Sequence, residues 1–98
     1  MRKIKVLVDQ IDEELEGAKN YAEKYLDLKA NGDSRAAQYR DMAQDELKHA
    51  ANLHTEAVAE IKKLGEVYTA PAEMQEKWDK SHKEYVERAA WIKTMLQM

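Results

Sequence analysis

Ninety-eight residues suffice for one domain and not two. With 44% hydrophobic and 36% charged residues the chain is too apolar for disorder, and one Pro, three Gly and no Phe argue against the turn-rich strands of a sandwich or barrel. A net charge of −3 with both signs interspersed leaves no basic face for nucleic acid, and zero Cys removes disulfides, thiolate metal sites and cysteine nucleophiles. The run Val6-Leu7-Val8 is far too short to cross a bilayer or serve as a signal sequence. Ala, Glu, Lys and Leu dominate, and all four favour helix. The composition therefore predicts a soluble, all-α protein of the cytoplasm, or one delivered folded to another compartment.

The first predicted helix runs from about Lys3 to Lys29. Ile4, Leu7, Ile11, Leu15, Ala18, Ala22 and Tyr25 keep the 3-4 spacing of one helical face. Alternation at Ile4, Val6 and Val8 would also suit a short strand, but the stripe continues unbroken and favours helix. Asn31-Gly32 ends it, and Asp33 or Ser34 is placed to cap the next helix. The second helix is predicted over about Ser34–Leu64, with Ala36, Tyr39, Ala43, Leu47, Ala50, His54, Ala57 and Ile61 as its apolar stripe. Alanines there let a neighbouring helix approach closely. Gly65 closes it. Thr69-Ala70-Pro71 opens a third helix reaching about Leu96, with Pro71 in the first turn. Met74, Trp78, His82, Tyr85, Ala89, Ile92 and Leu96 share one face of that helix. Ala90, Trp91, Thr94 and Met98 form a second stripe, which suggests a second neighbour such as another copy of the chain.

Position selects among the many glutamates. At 100° per residue, Glu14 lies about 60° from Ile11, whereas Glu13 and Glu16 lie about 160° and 140° away. Glu14 is thus the inward carboxylate of the first helix, and an inward charge needs a partner or a metal. On the second helix Glu46 lies about 60° from Ala43 and His49 about 120° on the same side. Glu46-Leu47-Lys48-His49 is a Glu-x-x-His, the i, i+3 pairing found in carboxylate-bridged di-iron bundles. An antiparallel hairpin turning near Ala30–Asn31 brings residues equidistant from the turn to one level. Glu14 then meets Glu46, Tyr21 meets Tyr39, and Gly17 and Ala43 fall between. One hairpin offers half of a di-metal inventory, and two copies supply about four carboxylates and two histidines. Such donors suit iron or manganese and also accept zinc.

At these residues the chain resembles the ferritin-like superfamily, and within it the encapsulated ferritins. The resemblance covers about Ile11 to Lys63. It rests on Ile11-Asp12-Glu13-Glu14-Leu15-Glu16, on Tyr21, and on Asp45-Glu46-Leu47-Lys48-His49-Ala50. It implies a ferroxidase with a di-iron centre shared between two subunits. Glu14, Glu46 and His49 would be the iron ligands, Tyr21 would sit beside the centre, and Glu13 and Glu16 would line the path by which metal approaches. A homodimer would complete the four-helix core, and an encapsulating shell protein would be a further partner, although no encapsulation tail is seen after Leu96. The third helix is longer than the resemblance implies.

Other chemistry-bearing residues read as structural. His54 in the alanine stripe and His82 between Trp78 and Tyr85 read as core or interface histidines. Glu84 and Glu87 point away from the Trp78 stripe and read as solvated. Met42, Met95 and Met98 suit gap-filling. The alternative to an iron protein is a non-enzymatic helical assembly or adaptor protein that binds a partner through Trp78, Tyr85 and Trp91 of the third helix.

Overall fold

The computed structural model describes residues 2–66 and 71–98. They form three helices and no strand: α1 (Arg2–Ala30), α2 (Ala36–Gly65) and α3 (Ala72–Gln97). Each boundary falls within one or two residues of the sequence reading. Ile4–Val8 is helical, as the continuous stripe predicts. None of these helices is long and apolar enough to cross a membrane.

The α1–α2 turn is built by Gly32 at φ +65°, the left-handed conformation that glycine adopts without steric cost. Asp33 N donates to Leu28 O at 2.9 Å and Gly32 N to Lys29 O at 3.1 Å, which satisfies the last carbonyls of α1. The capping expectation at Asp33 or Ser34 is corrected. Arg35 is the N-cap of α2 and makes no side-chain cap bond. The Asp33 carboxylate is engaged one step earlier, accepting from the backbone and guanidinium of Arg35, which holds it down at about 2. Pro71 likewise sits at the N-cap of α3, with ψ 144°, and not in the first turn. Thr69 and Ala70 lie outside the described residues.

Leu7, Ile11, Leu15, Ala18, Ala22, Tyr25 and Leu28 of α1 are buried against Ala36, Ala43, Ala50 and Ala57 of α2. Three of those alanines recur every seven residues and are fully buried. The repeat presents one continuous small-residue seam, so α1 packs closely along nearly the whole of α2. Lys3 pairs with Glu60 at 3.0 Å across the open end of this hairpin.

Helix α3 runs parallel to α1 and packs mainly on it. Ala89, Ile92, Met95 and Leu96 are buried, while Trp78 and Tyr85 are half-buried against the core. Met95 joins the core beside the predicted stripe. Arg88 of α3 reaches Asp12 at 3.1 Å and Glu16 at 3.7 Å on α1. From α2, Arg40 donates to Leu96 O at 3.1 Å. The result is an up-down-up bundle measuring 55 × 17 × 17 Å between Cα atoms. Its radius of gyration, 16.0 Å, exceeds the roughly 13 Å of a compact chain this long. Among the described residues no charged side chain is buried in the core.

Candidate metal centre

Glu14 sits on α1 between Ile11 and Leu15, and Glu46 on α2 between Ala43 and Ala50. The close seam brings the two carboxyl groups together at one level of the hairpin, as the distance from the turn predicts. One donor atom each from Glu14, Glu46 and His49 lie within 4.8 Å of one another. His49 Nδ1 is 3.6 Å from Glu14 Oε2. Glu14 and Glu46 are half-buried, and His49 is exposed. Gly17 keeps the wall open beside them. A Cβ at that position would lie 3.4 Å from Glu46 Oε2.

Electrostatics mark the pair as unsatisfied. The adjacent Glu14 carboxyl, as an acceptor for the protonated form and as a like charge, together with burial pushes the Glu46 carboxyl above the ordinary carboxylate range. Two like charges at this distance favour sharing a proton. A cation placed between them would reverse the preference, so the donor chemistry fits a hard or borderline metal. The size fits too. Donors at about 2.1 Å from one ion lie at most about 4.2 Å apart, so a small contraction closes the site on a single ion. A bridged pair of ions about 3.5–4 Å apart needs none.

The raised carboxyl has a measurable consequence in metal-free protein. A folded value above the unfolded one gives stability that is complete below the ordinary Glu value of about 4.3 and is lost as pH rises through the raised value. Glu46→Gln keeps a donor to Glu14 and cannot ionise. Followed by thermal melting in chelator, the variant should therefore gain on the wild type as pH rises. It should melt higher at neutral pH, with the difference vanishing near pH 4.

The other predicted residues are placed differently. Tyr21 and Tyr39 face each other with ring centroids 6.2 Å apart, two helical turns from the donors. They wall one end of the site's face. Glu13 is exposed and stands outside the donor group. Glu16 is drawn to Arg88 on α3. Glu84 and Glu87 are exposed, as read from sequence. His54 and His82 form no metal-ligating group of three, but they bond each other between α2 and α3, a pairing that the separate stripes did not reveal. The role of Arg88 in docking α3 was equally invisible, because a single helix does not show which neighbour its charges meet.

The centre lies on the hairpin face opposite α3. Asp12 and Glu16 face α3, and Glu14 is about 160° around α1 from both. On α2, His49 is about 180° from Arg40 and about 140° from His54, the residues that touch α3. The third helix therefore braces the hairpin from behind and leaves the donors uncovered. Comparison with family models, with curated proteins and with solved structures finds no match to this chain.

Proposed function

We propose that the chain is an iron-binding protein of ferritin-like kind, a ferroxidase whose di-iron carboxylate site is shared by two copies. The observation that carries this reading is the meeting of Glu14, Glu46 and His49 on a hairpin face that α3 leaves open. A second copy related by a twofold axis would bring an identical set. The sum is four carboxylates and two imidazoles, the inventory of a bundle di-metal site.

Ferrous iron held there would give up one electron per ion, with oxygen or peroxide as the acceptor. The residues prepare the place. The Glu46 carboxyl, raised by its Glu14 neighbour and by burial, would give up its proton to an arriving cation, and both carboxylates would supply the compensating charge. His49 contributes a neutral nitrogen that fixes the position of the ion along the helix. Tyr21 and Tyr39 exclude water from the side nearer the turn. Manganese or zinc would occupy the same donors without the iron oxidation.

Exposed Trp91 and Met98, two turns apart on one face of α3, support the adaptor alternative in narrower form. Trp78 and Tyr85 pack inward and are not free to join them. The discriminating experiment is oxygen uptake after anaerobic loading with Fe²⁺. Uptake above buffer, with about one ion retained per chain, supports the ferroxidase. Protein that retains no iron and consumes no oxygen supports the adaptor.

A further inference from the structure

Away from the metal centre, α2 and α3 meet through two imidazoles. His54 Nε2 and His82 Nδ1 are 2.8 Å apart. The ring centroids are 5.0 Å apart, close to that bond plus the two ring radii, so the nitrogens face each other head-on. On its other sides His54 lies 4.3 Å from the Tyr85 ring at 11° and 5.7 Å from Trp78 at 24°. Aromatic rings therefore hold the half-buried imidazole in place, and its hydrogen-bonding edge is turned to His82.

A nitrogen–nitrogen bond needs one partner protonated and the other bare. Two neutral imidazoles meet that condition. One imidazolium facing a neutral partner meets it as well, because the cation donates to the bare nitrogen. Two imidazolium rings do not. Both facing nitrogens then carry hydrogen, and two positive charges oppose each other across the same gap. The bridge thus tolerates a first added proton and is broken by a second.

Solvent reaches His82, but no carboxylate stands close enough to pair with that second charge. One turn from His54 on α2 stand Ala50, Ala51, Ala57 and Val58. One turn from His82 on α3 stand Trp78, Asp79, Tyr85 and Val86, and Asp79 accepts from Gln75 at 3.0 Å. Among the described residues no carboxylate of α1, α2 or α3 lies within ion-pair distance of either ring. Burial and the charge of His82 push His54 below its ordinary value. The stability it gives is present above about 6.5 and lost as pH falls. A metal ion fits this geometry poorly. Head-on coordination between two nitrogens needs about 4 Å, and no third donor converges.

We propose that the His54–His82 bridge is an acid-released latch between α2 and the N-terminal half of α3, closed in the neutral and singly protonated pair and opened by a second added proton. The C-terminal half of α3 stays docked, held by Arg88 on Asp12 and Glu16 and by buried Ile92, Met95 and Leu96. Opening frees Trp78 and Tyr85 and exposes the apolar flank that they cover. The latch is on the opposite side of the hairpin from Glu14 and His49 and does not depend on the proposed iron function.

The chain has two tryptophans, so Trp91→Phe leaves Trp78 as the sole tryptophan, excited selectively over the tyrosines. Its emission and the imidazole proton resonances are followed in chelator from about pH 8 to about pH 4.5. The pair should take up two protons in separate steps. Trp78 emission should move to the red with the second step alone, at a midpoint below that of the first. Adding His82→Gln, whose amide can bond His54 in either protonation state, should abolish the shift. An emission change that follows the first proton, persists with His82→Gln, or never occurs overturns the latch. So does stabilisation by Zn²⁺ that survives His49→Ala and is lost with His82→Gln, which would make the pair a metal clip. The wild-type resonances decide the case even if the glutamine variant fails to fold.

Discussion

Metal-free protein is expected to melt about 10 °C or more below the same protein in Mn²⁺, Zn²⁺ or anaerobic Fe²⁺ at a hundredfold excess over Kd. A ligand that binds the folded state alone adds about 2.7 kcal/mol at that excess, and a domain of this size shifts by several degrees per kcal/mol. Glu14→Ala should abolish the gain while leaving helicity intact, because it removes one of three donors together with a half-buried charge. His49→Ala should lose most of it. Glu16→Ala should behave nearly as wild type, since Glu16 is turned to Arg88 on the other side of α1. The gain should shrink as pH falls, because a proton on the raised Glu46 carboxyl competes with the cation. Calorimetry across the four proteins checks the series. Equal melting temperatures with and without metal would remove the di-metal reading. Loss of the gain in Glu16→Ala and its survival in Glu14→Ala would mean that the inward face of α1 is misassigned.

The donors were legible because they depend on local quantities. The rotation of Glu14 about α1 follows from the Ile11–Leu15 stripe. Its level against Glu46 follows from counting outward from the turn near Ala30–Asn31, which the left-handed Gly32 completes. Small residues at Gly17, Ala43 and Ala50 then let the hairpin close until donor atoms of the two carboxyl groups lie within 4.8 Å. The setting of α3 was not legible in the same way. Residues 66–71 join it to α2, and its two stripes leave open which one meets the hairpin. The choice is made by contacts between distant positions: Arg88 with Asp12, Arg40 with the Leu96 carbonyl, and His54 with His82. None of these produces a period in the sequence. The cap of α2 was misread for a related reason. Asp33 has a choice of backbone partners, and Arg35 engages its carboxylate from two sides before the helix begins.

The second large effect concerns assembly. The chain exposes 6740 Å², against about 5,800 Å² for a folded monomer of 11.4 kDa. The excess is close to the roughly 800 Å² that each partner buries in a standard interface. Where that area is best buried follows from the faces. Helix α3 covers one side of the hairpin. The other presents Tyr21, Tyr39, Met42 and Leu53, half-buried around Glu14 and Glu46. A second hairpin laid there would bury those side chains and complete the donor set in one step, so metal binding and dimerisation should be linked. Sedimentation at micromolar concentration is expected to show twice the chain mass when metal is present. Leu53→Arg places an unpaired charge at the centre of that face and should weaken the dimer at least about 30-fold, with loss of metal affinity in parallel. Trp91→Arg, on exposed α3 surface, should change neither. If Trp91→Arg dissociates the assembly and Leu53→Arg does not, the copies meet through α3. If a monomer binds metal as tightly as the assembly, Glu14, Glu46 and His49 of one chain are sufficient, and the shared site is wrong.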